Sequence, residues 1–367
     1  MLDEKISIIV PIFNTDFEFL KQCLDSLLNQ TYSNIEIILI NDGSTNDCAH
    51  FCDNYAKLDS RIRIFHQENA GVSSARNNGM NIASGKWIMF VDPDDWIELD
   101  TCRNINQILI SNPSVDLVMW EYSVGHKVYT NGYDEVTEFN DKEKDLLILQ
   151  ILGVLEKIQI GDRLFSLTAP TVWKACYNIE KIKEEKLHFF EDLDRGEDIL
   201  FNLYFIQLAY KILYLDRPFY HYRPNEASVT IRYNFKIDES HELFANRLEE
   251  FCYLFDKKIP DDLVTQKIYN SYLISLSSKY FHLDNPLGIF ENRKQWLEFA
   301  TQMKYVSTFR NLIERKNLNY YNRLVVFLSL YKQYFLLQFL YSVRGLLKTF
   351  RNLKSLLLKG KSYERNN

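Results

Sequence analysis

Glycine is scarce in this chain, with 12 residues in 367. None falls in a GxGxxG pattern, and no GxxxxGK[ST] run occurs. A glycine-rich dinucleotide cradle and a Walker phosphate loop are therefore both excluded. Six cysteines are scattered, at 23, 48, 52, 102, 176 and 252, with no CxxC pair or His-rich tract beside them. A zinc site is disfavoured, and reduced, packed thiols are expected. The start, Met1-Leu2-Asp3-Glu4-Lys5, is charged, and the apolar run Ile6 to Phe13 is too short for a signal core or a membrane span. The folded body is therefore expected in the cytoplasm. The body also lacks a basic surface. Net charge is -6, and from Arg323 onward nine Lys or Arg face one acid, Glu364, leaving -14 on the preceding residues. A general nucleic-acid binder would carry its basic charge on the folded body, so the pattern argues against that class; a basic tail on an acidic body suits an anionic surface.

What is abundant is apolar and aromatic: 46% hydrophobic and 14% aromatic, enough for a core in two or three units. Ile6 to Ile12, Ile35 to Ile40 and Trp87 to Val91 read as buried strands, and Arg61 to Phe65 as a more exposed one. Helical spacing separates them: Leu20, Cys23, Leu24, Leu27 and Leu28 first, then a polar helix through Phe51 and Tyr55, then Val72 to Ala83. This alternation predicts an α/β fold, a mostly parallel sheet with helices on both faces and ligands at the carboxyl ends of its strands. Further strands are expected at 115–124, 211–215 and 218–222, and helices at 141–155 and from Gly196. Helical spacing dominates after about Ile237. The predicted division is 1–235 for the α/β domain, 236–322 for a helical region and 323–367 for a basic amphipathic helical tail.

Polar residues gather at the strand ends, and each admits two readings. Asp92-Pro93-Asp94-Asp95 crowds three carboxylates where Pro93 removes an amide donor, so a divalent cation, Mg2+ or Mn2+, is the natural compensation. The alternative is a helix cap by Asp94 or Asp95 for a helix starting near Trp96. Asp42, in Asn41-Asp42-Gly43-Ser44, either closes an Asx turn or accepts a base N–H. Asn69 to Asn77 offers a small-residue helix start that could approach negative charge. Arg76 there could reach a phosphate or base oxygen, or be an ordinary surface arginine. Glu197-Asp198 after Gly196 complements a helix dipole or supplies a general base. His221, between Tyr220 and Tyr222, is either packed or completes a metal shell, while Arg223 and Ser228 could hold a diphosphate.

In order and spacing these motifs resemble the family 2 glycosyltransferases of GT-A fold. The match runs from Ile8-Ile9-Val10-Pro11-Ile12-Phe13-Asn14 through Asn41 to Asp47 and Asn69 to Asn77 to Asp92-Pro93-Asp94-Asp95-Trp96. Trp173-Lys174, Gly196-Glu197-Asp198 and Tyr220-His221-Tyr222 resemble the bacterial polysaccharide and wall-polymer branch. The resemblance spans about residues 5 to 232. It implies an inverting, metal-dependent transfer of a hexose or N-acetylhexosamine from a UDP-sugar to a hydroxyl of a saccharide or lipid-linked saccharide acceptor. Pro11, Phe13 and Asp42 would surround the uracil, with Asn69 and Arg76 finishing the nucleoside pocket. Asp92 and Asp94 would hold ribose and the metal-bound diphosphate, Asp94 as the main metal ligand. Asp95 would orient the donor sugar, and Asp198 of the Glu197-Asp198 pair would be the base. A nucleotidyl- or phosphotransferase using the same acids, and an inactive sugar-nucleotide-binding assembly subunit, are the competing readings.

In the tail, Leu346, Phe350, Leu353 and Leu357 form one helical seam and Arg344, Lys348 and Arg351 another, as in a helix lying on the inner membrane surface. Packing on another subunit of a homo-oligomer, or a span from Leu324 to Val343 carrying Lys332, are the alternatives.

Overall fold

The structure is a computed structural model, and it describes residues 3–133, 135–167, 171–224, 233–314 and 318–344. The chain divides into two compact units, Met1–Asn225 with Glu242–Lys258, and Glu226–His241 with Ile259–Asn367.

The first unit opens with β1 (Ile6–Ile12), α1 (Phe17–Leu28), β2 (Ile35–Asp42), α2 (Cys48–Leu58), β3 (Ile62–Gln67), α3 (Val72–Ile82) and β4 (Trp87–Phe90). Every residue of β1, β2 and β4 is buried, whereas β3 alternates. Central strands covered by helices on both faces read as unbroken apolar runs, and an edge strand keeps one face in water. All three pairings, β1 with β2 and β4 and β2 with β3, are parallel. Pro11 is tolerated inside β1 because the pairing with β4 ends at Ile9, so that side of the ladder needs no amide from it. The helices are anchored locally. Asp16 caps α1 by accepting from the Glu18 and Phe19 amides, and Cys48 and Cys52 bury one face of α2.

The sheet continues through β5 (Trp96–Ile97), α4 (Thr101–Ser111), β6 (Leu117–Val124), β7 (Lys127–Tyr129), β8 (Thr137–Phe139), α5 (Asp141–Ile151), β9 (Ile158–Ile160), β10 (Arg163–Phe165), β11 (Ala175–Asn178), α6 (Ile179–Glu184), α7 (Glu197–Leu208) and β12 (Ile212–Tyr222). Its order is β3-β2-β1-β4-β11-β6-β12-β5. Beyond β4 it is mixed, because β11 runs antiparallel to both β4 and β6. The two short strands expected at 211–215 and 218–222 are one strand, β12, whose register against β6 shifts around Pro218. A proline lacks the ladder donor, and a bulge absorbs the mismatch without ending the strand. The helix expected to start near Trp96 is absent: Trp96 and Ile97 pair with β12, and α4 begins at Thr101.

α8 (Ile237–Leu254) follows, and its residues from Glu242 onward belong to the first unit. There Arg247 pairs with Asp192 at 3.2 Å, and Phe251 meets Tyr204 edge-on. The second unit contains α9 (Asp261–Ser275), α10 (Ile289–Ala300), α11 (Met303–Glu314), α12 (Tyr320–Leu330) and a helix over 334–344. Its core gathers Tyr269, Tyr272, Trp296, Phe309, Val325, Val326, Tyr334 and Leu337. Lys332, at φ 58°, lies in the turn that interrupts the Leu324–Val343 stretch, which is therefore two helices and not a span. Among the described residues no helix is long and apolar enough to cross a membrane. The tail seam from Leu346 to Leu357 lies outside the described residues.

Candidate functional site

The carboxyl ends of β1 and β2 are tied together by side chains that the turn sequence supplies. Asn14 accepts from the amides of Thr45 and Asn46, and its own amide donates to Ser44. Gly43 turns with φ +66°, and a Cβ there would sit 2.6 Å from the Asn69 amide nitrogen, so only glycine lets the two loops approach. Asp42 is buried, and its carboxylate accepts four hydrogen bonds, from Gln67, Asn69 and the amides of Ala70 and Gly71. It thereby fixes the loop that starts α3, with Asn69 one of its donors, while the Ser44 amide within the turn donates to Asn41 and not to Asp42. Pro11 is buried in β1, while Phe13, just past the strand, is 47% exposed.

Arg76 is the hinge of the arrangement. It is 5% exposed, so it is no surface arginine. One nitrogen lies 3.1 Å from Asp92 and the other 3.0 Å from Glu197, with the guanidinium over the Phe189 ring. Burial works against its charge, but the two carboxylates outweigh that and hold it firmly cationic. One side chain thus joins the acidic loop after β4 to the first turn of α7, with Arg76 itself 121 residues before Glu197. Gly196 opens α7 with φ +85°, and a Cβ there would meet Phe244 of α8 at 2.5 Å. Asp198 follows, its carboxylate on the Ile199 amide. Burial, then repulsion from Glu197, pushes Asp198 up to about 7 despite Arg76.

The end of β12 organises the acidic loop. The Tyr220 hydroxyl donates to Asp95 at 2.7 Å and accepts the Asp92 amide at 3.1 Å. The Arg223 amide donates to the other Asp95 oxygen at 2.7 Å, and its Nε donates to the Asp94 carbonyl. Asp95 is 1% exposed, and burial together with Asp92 pushes it up to about 8. The Arg223 guanidinium is stacked between Phe19 and Trp96 and reaches Gln22. Tyr220 is fully buried against Trp173, its ring 4.3 Å away.

The carboxylates of Asp92 and Asp94 are hard oxygen donors. They fit a Mg2+ or Mn2+ ion of the kind that keeps few protein ligands and shares substrate phosphates. Among the described residues no three His, Cys, Asp or Glu side chains converge as a complete cage. His221 does not join them in this arrangement. Its Nδ1 faces the Ser123 hydroxyl at 2.7 Å, its Nε2 faces Glu98 at 2.6 Å, and its ring stacks on Trp96. Both ring nitrogens are taken, which matches the packed alternative. Ser228 lies outside the described residues.

Sequence reasoning thus named Asp92, Asp95, Arg76, Glu197, Asp198 and Arg223, and the structure gathers them around one sheet edge. It missed Tyr220 as a contributor, although the Tyr-His-Tyr segment had drawn attention for its histidine.

The family model for Glycosyl transferase family 2 matches residues 7–160. The glycosyltransferase GlyG of Streptococcus pneumoniae is 30% identical over 261 residues, covering 71% of this chain and 81% of that protein. The minor teichoic acid biosynthesis protein GgaB of Bacillus subtilis is 40% identical over 102 residues, 27% of this chain and 11% of that one. Three other curated glycosyltransferases match at 32–36% identity, and the chain spans only 32–65% of their length. In fold, the chain is similar to S. aureus TarS 1-349, solved in complex with UDP-GlcNAc. The TM-score is 0.56 at 16% identity, over 93% of this chain and 92% of that one. A parallel sheet ending in an acidic loop, a Gly-Glu-Asp helix start joined to it through one buried arginine, and relatives of that extent all agree: the chain belongs to glycosyltransferase family 2.

Proposed function

We propose that the chain transfers a hexose or N-acetylhexosamine, with inversion, from a UDP-sugar to an acceptor hydroxyl during synthesis of a cell-surface polymer. The observation that carries the reading is the Asp92–Arg76–Glu197 bridge, which sets the acidic loop beside the carboxylate best suited to be a base. The donor class is supported by the likeness to TarS, solved with UDP and with UDP-GlcNAc. The polymer setting is supported by the Trp173 to Tyr222 motifs and by the local match to GgaB.

In this mechanism Pro11, Phe13 and Asn69 enclose the base, with Asp42 shaping the loop beside it. Asp92 meets the ribose, and Asp95, buried with both oxygens held by Tyr220 and the Arg223 amide, positions the acidic loop in place of the sugar-orienting role expected for it. Asp92 and Asp94 would hold the divalent cation, which supplies positive charge to the diphosphate oxygens. Arg223 and Ser228 would offset the charge that grows on the departing diphosphate, as a cation and a hydroxyl can. Asp198 takes the acceptor proton as the acceptor oxygen attacks the anomeric carbon, so a single displacement inverts the configuration. A carboxyl raised to about 7 is basic enough to accept that proton and still largely ionised slightly above neutrality. A lipid-linked acceptor would be met at the cytoplasmic face of the membrane, with the basic region from Arg323 onward as the attachment.

Asp94→Ala and Asp198→Ala, assayed separately for sugar transfer, are each expected to lose at least about a hundredfold. Transfer within a fewfold of wild type in both would show that the site is assigned to the wrong residues.

A further inference from the structure

The Arg76 bridge rests on a ring that no secondary structure holds. Two guanidinium nitrogens pair with Asp92 and Glu197, but Nε is buried with no hydrogen-bond partner. Bonds at two corners leave the plane of the group able to tilt. What bears on that plane is the Phe189 ring, its centroid 5.4 Å from the guanidinium carbon. Phe189 is fully buried, stacks on Phe201 of α7 at 4.2 Å and meets Phe90 of β4 edge-on. It therefore touches the strand that feeds the acidic loop, the helix that carries Glu197 and Asp198, and the arginine that joins them. Its backbone lies within residues 185–196, which form neither helix nor strand, and among the described residues no backbone group pairs with it.

A buried amide and carbonyl need partners, and the Asn77 side chain supplies both. Its Nδ2 donates to the Phe189 carbonyl at 2.9 Å, and its Oδ1 accepts the Phe189 amide at 2.8 Å. Nδ2 also donates to Glu191 at 3.0 Å. A carboxamide presents a donor and an acceptor on one rigid plane, as a neighbouring strand would, whereas a carboxylate could satisfy only the amide. Asn77 follows Arg76 in α3, so one helical turn carries both the arginine and the clamp on the ring beneath it.

We propose that Asn77 is a positioning residue for transfer: by pinning the Phe189 backbone it sets the ring under Arg76, and through Arg76 the spacing between the acidic loop and Asp198. The inference rests on the roles proposed for those acids. A shift of about 1 Å in such a scaffold costs up to about a hundredfold in rate.

The test is a double-mutant cycle in the full-length protein with Asn77→Leu, Phe189→Leu and the pair. It is read by UDP release from UDP-glucose and UDP-N-acetylglucosamine at a temperature where circular dichroism shows each variant folded. Leucine is close to asparagine in size and favours a helix more, so Asn77→Leu removes the bonds without weakening α3. Each single variant is expected to lose at least about tenfold in kcat. The double variant should be no more than about twofold slower than the slower single one, because both act through one ring. Folded Asn77→Leu within about twofold of wild type would overturn the proposal, and so would single losses that multiply in the double variant. If Asn77→Leu does not fold, Phe189→Leu decides alone, and an unchanged kcat in it would overturn the proposal. Thermal unfolding separates the clamp from the reaction. Arg76→Met should lower the melting temperature in the Asn77→Leu background by about half as much as in wild type, or less. Equal losses in both backgrounds would show that the clamp does not set Arg76. No UDP release by wild type, with that coupling present, would overturn the transfer and keep the clamp.

Discussion

Removing the Arg76 charge with Arg76→Met tests the bridge on which the site depends. The guanidinium side chain is 6% exposed, Glu197 12% and Asp92 27%, so the pairs are poorly screened by water. Deleting one partner of a buried ion pair costs about 3–5 kcal/mol, because the stranded charges stay where they are. Here Asp92, Glu197 and Asp198 are left together without a cation. In a unit of this size each kcal/mol moves the melting temperature by about 2–4 °C, so a drop of roughly 6–20 °C is expected near pH 8. The loss should also depend on pH with a definite sign. Asp198 is already raised to about 7 with Arg76 present, and Arg76 pulls it down. Without Arg76 the folded protein binds a proton more readily, and protonation relieves the repulsion. The variant is therefore destabilised most at high pH, and the gap to wild type should narrow as pH falls from ~9 towards 7 and level off by ~6, where Asp198 is protonated in both proteins. Thermal denaturation of both proteins across that range reads it directly. A gap under about 2 °C, or one that stays constant with pH, would show that the bridge does not neutralise the two acidic segments.

Two further outcomes follow from the same geometry. If Asp198 is the base, kcat/KM should rise with pH through about 7, and Asp198→Asn should remove that limb along with about 10²–10⁴ of the rate; a flat profile in wild type would assign the proton elsewhere. Tyr220→Phe leaves the Asp92 amide without its acceptor and Asp95 with one donor fewer, a stability loss of about 1–3 kcal/mol, or roughly 2–12 °C in melting temperature. Because both lost bonds hold the acidic loop, kcat/KM for the donor should fall as well, and unchanged values of both would remove Tyr220 from the site.

The parallel half of the sheet is legible because β1, β2 and β4 are buried on both faces, which forces unbroken β-branched and apolar runs. The antiparallel insertion of β11 is not, since Ala175–Asn178 is short and its partners are distant in sequence. Trp96-Ile97 follows three acids that resemble a helix cap, and its strand character comes only from pairing with Tyr220 and His221. Gly43 could be read from its turn, whereas Asn14 and Asp42 take their partners from loops 25–32 residues away. Arg76 could be named but not given its partners, because the pair with Glu197 spans 121 residues. Tyr220 lay in a motif noticed for its histidine; its hydroxyl matters through two bonds to a loop more than a hundred residues earlier. His221 shows the reverse case, a residue type suited to a metal that local packing with Ser123, Glu98 and Trp96 uses otherwise.

The central claim, that Asp92 to Asp95 and Asp198 serve transfer from a UDP-sugar, is tested most directly by a panel of nucleotide sugars incubated with the protein and Mn2+. Nucleoside diphosphate release is the readout. The account predicts UDP release from a UDP-hexose or its N-acetyl form, dependent on Asp94. Release of pyrophosphate or of a phosphorylated product, or no turnover of any donor beyond the Asp94→Ala background, would contradict it.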